Sequence, residues 1–457
     1  MRIKRLIFSA ALLLTVASGA WAEAIPQVIW CSGNHTLYFT CAELVTPGSS
    51  YGGQTVTNVY NGSSFNYGTW ANNGDITGYC TTVVFESSFS TVRPTICTNW
   101  FNFFGALTTI QGIENLNTSE VTNMGSMFAN CVGLTTLDLS HFNTAKVTDM
   151  ESMFQNCTKL TTLDLSTFDT SKVETMSSMF RGCSALTTLT VASGWTKITS
   201  YSNRFDNCTP STINLIMDDD GDSQSLLEEF SDLISGNTVN VTLRNRKLYK
   251  DGDWNTLCLP FNVTLTGSPL AGATLKELVA NQSNLADDGK LTLTFTDATN
   301  IEAGKPYLIK WESGSDIENP SFNGVTITSD EPAPVTFANA QGGGACSFVG
   351  QYKPFVITSS NKNTIVMLSS GSRIGYSNNV PRTLRSMRAH FVIPTTTSAP
   401  AMTDYAIDFD GEASTAMKAI DNGQWVLDNV YYDLAGRRVA QPTKGLYIFN
   451  GKKVMIP

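Results

Sequence analysis

Residues 121–146 read VTNMGSMFANCVGLTTLDLSHFNTAK, residues 147–172 read VTDMESMFQNCTKLTTLDLSTFDTSK, and residues 173–194 read VETMSSMFRGCSALTTLTVASG. The three segments share a period of 26, so Met124, Met150 and Met176 occupy one slot and Cys131, Cys157 and Cys183 another. A fixed period of this length marks a solenoid, because one unit is too small to bury its own apolar face and must stack on a neighbour. Solenoids present extended surfaces to other molecules, so the architecture points toward binding and away from catalysis.

Each unit divides in two. Val147, Met150, Met153, Phe154 and Cys157 are spaced for one face of a short helix. Leu160, Leu163 and Leu165 follow as L-x-x-L-x-L, the pattern of a short strand with inward leucines. The expected repeat core is therefore Met124, Met127, Phe128, Cys131, Leu134, Leu137 and Leu139 in one turn, and Met150, Met153, Phe154, Cys157, Leu160, Leu163 and Leu165 in the next. Met176, Met179, Phe180, Cys183, Leu186 and Leu189 continue it. Methionine at these spacings is core filler rather than a ligand stripe. The residues between the leucines face outward: Thr136, Asp138 and Ser140, then Thr162, Asp164 and Ser166, then Thr188 and Thr190. Stacking aligns them into a ladder of hydroxyls and carboxylates, the candidate binding face.

Working outward, 100–110 reads as a degraded first unit with Phe104 in the cysteine slot, as expected of a terminal repeat that caps the core. Residues 23–104 form a β-rich cap, with strands at 27–31, 36–41 and 81–85 between Gly and Asn turns. The repeats run over 105–216. Residues 217–248 read as an αβ connector, with an amphipathic helix at 225–234 and a strand at 239–243. Short β-prone runs between Gly, Pro and Asn turns across 249–425 read as an antiparallel β-sandwich. Residues 426–457 read as a basic hairpin around Asn450-Gly451, a strong hairpin-turn dipeptide.

The first 22 residues carry Arg2, Lys4 and Arg5, an apolar run over 6–16, and Ala20-Trp21-Ala22, which is the pattern of a secretory signal peptide. No transmembrane segment is expected, since no stretch approaches twenty apolar residues. The chain holds 30 basic against 39 acidic residues, a formal charge of −9, and loss of the leader makes it more negative. That composition argues against nucleic acid as a partner, because phosphate must be neutralised by Lys and Arg.

The cysteine column, with Cys208 in the fourth turn, is expected to hold buried thiols, because parallel inward side chains do not face one another. Cys31, Cys41, Cys80 and Cys97 are the better candidates for one or two bridges. No His, Cys or carboxylate group has zinc or HExxH spacing, and no nucleophile elbow, P-loop or dinucleotide fingerprint occurs. His35, His141 and His390 read as surface or core histidines. Residues 218–222, DDDGD, fail the EF-hand template and read as a solvated turn. No catalytic residue, metal or cofactor is therefore expected, and the chain reads as non-catalytic.

The units quoted above resemble the BspA-type leucine-rich repeats of bacterial surface proteins. WCSGNHTLYF, VVFESSF and WFNFFGALTTIQGIENLNTSEVTNM resemble the region preceding such repeats. DGDWNTLCLPF, IEAGKPYLIKW and MRAHFVIP resemble the β-rich region that follows them. YYDLAGRRVAQPTKGLYIFNGKKVMI resembles C-terminal sorting-type tails on exported proteins of Gram-negative anaerobes. The resemblance implies a multidomain, β-dominated protein: a short α/β leucine-rich-repeat solenoid with a parallel sheet, then an antiparallel β-sandwich. It also implies export to the cell surface, the outer membrane or the medium, and adhesion to a host or neighbouring-cell protein or glycan. Export or sorting machinery is a further implied partner at the C-terminus. Two other readings are a carbohydrate-binding module built on the sandwich, for which Trp254, Trp311 and Tyr352 would line a groove, and a structural spacer.

Overall fold

The computed structural model describes residues 25–61, 68–196, 200, 202–369, 373–377, 379–395 and 402–409. It also describes the backbone of strands Glu412–Lys418, Tyr431–Tyr432, Arg438–Val439, Gly445–Phe449 and Lys452–Ile456. The leader read at 1–22 and the turn Asn450-Gly451 lie outside the described residues. The chain is β-dominated, with several sheets and few helices.

The 26-residue units stack in parallel. Isolated parallel bridges join Ile96 to Asn123, Asn123 to Asp149, Asp149 to Thr175 and Thr175 to Ser200. After each bridge, alternate backbone N–H groups reach the next unit: Met124 to Asp149 O at 2.9 Å, Ser126 to Glu151 O at 2.8 Å, Phe128 to Met153 O at 2.9 Å and Asn130 to Gln155 O at 2.7 Å. The intervening N–H groups close three-residue turns, Met127 to Met124 O and Ala129 to Ser126 O, both at 3.2 Å.

This pattern corrects the helix expected from the Met-Met-Phe-Cys spacing. The units contain no helix, and this face is a succession of turns. Ser126 (φ 55°), Asn130 (φ 61°), Ser152 (φ 56°) and Asn156 (φ 58°) occupy the left-handed region, which breaks any i→i+4 ladder. Consecutive three-residue turns also return a side chain to the interior at i, i+3, i+4 and i+7, so the hydrophobic spacing alone does not separate them from a helix.

The apolar slots fill one continuous core. Met124, Met127, Phe128, Cys131, Met150, Met153, Phe154, Cys157, Met176, Met179, Phe180 and Cys183 are buried, as are Leu134, Leu139, Leu160, Leu163, Leu165, Leu186 and Leu189. Phenylalanine rings stack through it from Phe101 to Phe128 (5.5 Å), Phe154 (6.0 Å), Phe180 (5.9 Å) and Phe205 (5.1 Å). Each column thiol donates to a carbonyl of the preceding unit, Cys131 to Phe101 O at 3.0 Å, Cys157 to Phe128 O at 3.2 Å and Cys183 to Phe154 O at 3.0 Å. Buried threonines link the units a second way. Thr118 Oγ1 accepts from Asn143 N–H (2.7 Å) and donates to Asn143 O (3.1 Å), and Thr144 does the same with Asp169 (2.8 and 2.9 Å).

On the strand side, Thr162–Asp164, Thr188–Ala192, Thr212–Asp218 and Thr238–Arg244 pair in parallel, and Ser321–Thr326 closes the sheet antiparallel. Leu163 stands opposite Leu189, and Leu189 opposite Ile213. Leu137 departs from this: residues 135–139 form no strand, and its side chain is only half-buried. The unit before is separated from this sheet too, since Thr109–Gln111 ends a different one, ordered Asn58–Asn61, Ile25–Cys31, Thr36–Ala42, Thr82–Phe85, Thr109–Gln111.

Helices Ser223–Glu229 and Ser231–Ile234 follow the repeats. Beyond them, twelve of the described strands join one sheet. The expectation of an antiparallel arrangement needs amending, because Asn284–Leu285 with Val335–Asn339, and Lys290–Asp297 with Asp404–Phe409, pair in parallel. Tyr431–Tyr432, Arg438–Val439, Gly445–Phe449 and Lys452–Ile456 make a separate four-stranded sheet.

Candidate functional site

The strand side carries the residues singled out from sequence. Thr136, Asp138, Ser140, Thr162 and Asp164 are exposed, and Ser166, Thr188 and Thr190 half-buried. Thr136, Asp138, Thr162, Asp164, Thr188 and Thr190 line one shallow cleft of about 320 Å³, floored by Leu137 and Leu163. Ser140 and Ser166 stand outside it, because each is the turn residue whose N–H is capped by the preceding aspartate: Asp138 Oδ1 accepts from Ser140 N–H, and Asp164 Oδ1 from Ser166 N–H, both at 2.9 Å. Those bonds from Ser140 hold the Asp138 carboxyl below the ordinary aspartate value. Each aspartate therefore has a turn to hold as well as a charge to present.

The cleft exists because the strand ladder fails at 135–139. Among the described residues, only the N–H and Oγ1 of Thr161, both donating to Thr135 O (3.1 and 3.2 Å), join this segment's backbone to the next unit. The polar row extends further than the sequence reading placed it. Asn214 Nδ2 donates to Thr190 Oγ1 (3.1 Å), Asn240 Nδ2 to Asn214 Oδ1 (3.0 Å), and Gly324 N–H to Asn240 Oδ1 (3.1 Å). The 26-residue step from Asn214 to Asn240, inside alternating strands, was the available signal.

Of the aromatics expected to line a groove, Trp311 and Tyr352 are buried, and Trp254 is half-buried with Phe409 stacked on it at 4.9 Å. His390 is a core residue stacked on Phe355 at 5.0 Å, and burial pulls its imidazole down to about 4. His35 occupies a turn with φ 55°. All ten cysteines are free. This corrects the expectation of bridges in the N-terminal part: Cys31 packs with Ile29 and Val56, whereas Cys80 and Cys97 lie in the main core.

The turn 218–222 is also corrected, since it is tied down by cations rather than solvated. Asp218 pairs with Arg244 at 2.5 Å. Asp219 is 2% exposed and faces Arg388 (2.9 Å), Arg385 (3.2 Å) and Arg246 (3.7 Å). Asp222 caps helix Ser223–Glu229 through Ser225 N–H at 3.0 Å. Among the described residues, no group of three His, Cys, Asp or Glu is placed to hold a metal ion, and no helix is long and apolar enough to cross a membrane.

Residues 98–216 match a family model described as Mycoplasma protein of unknown function, DUF285, so the chain is similar to that family over its stacked units. No curated protein and no solved structure matches.

Proposed function

We propose that the chain is an exported, non-catalytic surface protein that binds a host or neighbouring-cell protein or glycan across the strand side of its repeats. In this reading the stacked units are a short leucine-rich-repeat solenoid of BspA type, the region after 249 is a β-sandwich, and the terminal four-stranded sheet is the element that sorting machinery recognises. The observation that supports it is the convergence of six of the eight candidate residues on one cleft, which two aspartates make acidic. Repeat architectures offer such side surfaces to partners because their apolar faces are consumed by stacking.

The test is binding of the mature protein to matrix-protein and glycan panels, followed by the double variant Asp138→Lys/Asp164→Lys on whatever binds. A loss of about tenfold or more is expected, from two charge contacts of about 1 kcal/mol each. The Asn variants at both positions keep an oxygen for the Ser140 and Ser166 turns, so they separate loss of charge from loss of fold. Unchanged affinity in both pairs of variants rejects this face.

A further inference from the structure

The arginines around Asp219 exceed what that carboxylate requires. Arg246, Arg385 and Arg388 converge on it; Arg246 lies buried behind it, Arg385 and Arg388 line a cleft, and Arg382 lines that cleft with no partner among the described residues. Lys247, also in the lining and 5.4 Å from the Tyr249 ring centroid, is already matched by Asp316 (3.0 Å) and Glu318 (3.4 Å). Three guanidiniums thus share one carboxylate and a fourth stands in the cleft beside them, on a chain whose formal charge is −9.

Hydrogen bonding leaves the same excess. Arg246 is 1% exposed and spends Nη2 on Thr256 O (2.7 Å), while its Nε and Nη1 have no hydrogen-bond partner, and neither does Arg388 Nε. Burial, and then the charge of Arg388, pull the Arg246 guanidinium down to about 9. A cluster that only fastened Asp219 would leave neither spare donors nor mutual repulsion, because both cost free energy when desolvated.

The cleft holds about 390 Å³ and opens between the end of the repeats and strands Arg382–Leu384 and Arg388–Val392. Its rim carries Tyr249, 48% exposed, with Asn245 and Thr383 beside it. Guanidinium forks match planar or tetrahedral oxyanions, and an exposed tyrosine offers a flat face to a sugar ring.

We propose that this cleft is a second binding site, taking a sulfate or carboxylate group carried on a saccharide, with Arg382, Arg385 and Arg388 on the oxyanion and Tyr249 against the ring. It is distinct from the acidic cleft of the repeats and does not depend on that face binding anything.

The test uses the full mature chain in calorimetric titrations at low salt, with four probes: a sulfated oligosaccharide, a uronate oligosaccharide, the uncharged parent of the same length, and a hexaglutamate peptide. At least one of the two charged saccharides should bind, and the parent at least about tenfold more weakly, as loss of charge-assisted bonds requires. The two charged arms identify which oxyanion is preferred. Arg382→Gln should weaken binding by about fivefold or more with the melting temperature unmoved, because its partner would be the ligand alone. Tyr249→Ala should weaken saccharide binding. Arg385→Gln carries a folding risk through Asp219, so Arg382→Gln decides the matter. Asp138→Lys/Asp164→Lys should leave this binding intact. Any of three results overturns the proposal: equal affinity for charged and uncharged saccharides or no binding of either, hexaglutamate binding as tightly as the better saccharide, or indifference to both Arg382→Gln and Tyr249→Ala.

Discussion

Replacing Asn156 by glycine and by alanine separates the turn ladder from a helix by the sign of the result. Asn156 sits at φ 58°, its Nδ2 donates to Asn130 Oδ1 at 2.9 Å, and its N–H donates to Arg181 O at 2.7 Å. Either substitution removes the amide bond, costing about 1 kcal/mol. Alanine adds a Cβ in the left-handed region, about 1–2 kcal/mol more. Glycine avoids that but loses more backbone entropy on folding, roughly 0.5–1 kcal/mol. The glycine variant should therefore be the more stable by about 0.5–1 kcal/mol. In a helix interior the order reverses, with alanine ahead by about 1 kcal/mol. The third unit already has glycine in this slot, Gly182 at φ 76°, and a Cβ there would lie 2.3 Å from Asn156 Oδ1. Gly182→Ala should accordingly be worse than Asn156→Ala. The assay is urea unfolding followed by tryptophan emission, since Trp100 and Trp195 are fully buried near the two ends of the stack. Asn156→Ala equal to or more stable than Asn156→Gly would refute the turn ladder.

Leu163 is 2% exposed inside the ladder, so Leu163→Ala should cost about 2–5 kcal/mol, whereas the same change at half-buried Leu137 should cost well under that; equal losses in urea melts would mean the ladder does not break at 135–139. His390 is neutral in the folded state down to about 4, against about 6.5 unfolded, so the unfolded chain binds the proton first and stability falls as pH drops from 6.5 toward 4. His390→Phe should flatten that part of the stability–pH curve by up to roughly 3 kcal/mol, and a parallel decline in both proteins would remove the assignment. Burial raises the thiol values of Cys97, Cys131 and Cys157 above the ordinary cysteine value, so native alkylation at pH 8 should label half-buried Cys41 first and spare these three until the chain is unfolded; early labelling of Cys157 would contradict a closed core.

Parts of this fold were legible because the sequence repeats what the geometry repeats. The inward slots at Met124, Phe128 and Cys131 recur every 26 residues, and any parallel stacking of identical units buries them together. The conformation linking those slots was not legible, because a helix and a chain of three-residue turns place the same side chains inward. The discriminating residues were Asn130, Asn156 and Gly182, types that tolerate positive φ at one fixed offset before each cysteine. Nothing in the local sequence marks Thr118 and Thr144, because their buried bonds to the following unit depend on a neighbour that is distant in sequence. The role of Asp219 was hidden for the same reason: Arg385 and Arg388 lie more than 160 residues downstream and meet it only through tertiary folding.

Both ends of the stack are closed, so the surface that its units leave open lies on its side. A parallel sheet exposes unpaired backbone at each edge, and an uncovered edge recruits further strands. Here the far edge is closed by Ser321–Thr326 running antiparallel to Thr238–Arg244, and the same end is fastened where Ser386 N–H donates to Asp219 O at 2.7 Å. The near end is covered by the five-stranded sheet that finishes at Thr109–Gln111. Between these closures the ladder is interrupted at 135–139, so the edge of Thr162–Asp164 is left beside a segment that does not pair with it as a strand. The interruption coincides with the acidic cleft, which places the carboxylates of Asp138 and Asp164 next to the segment that forms no strand. In the proposed function, a partner that supplied hydrogen-bond donors there would meet both carboxylates at once, so the proposed site rests on this coincidence rather than on the size of the repeat array.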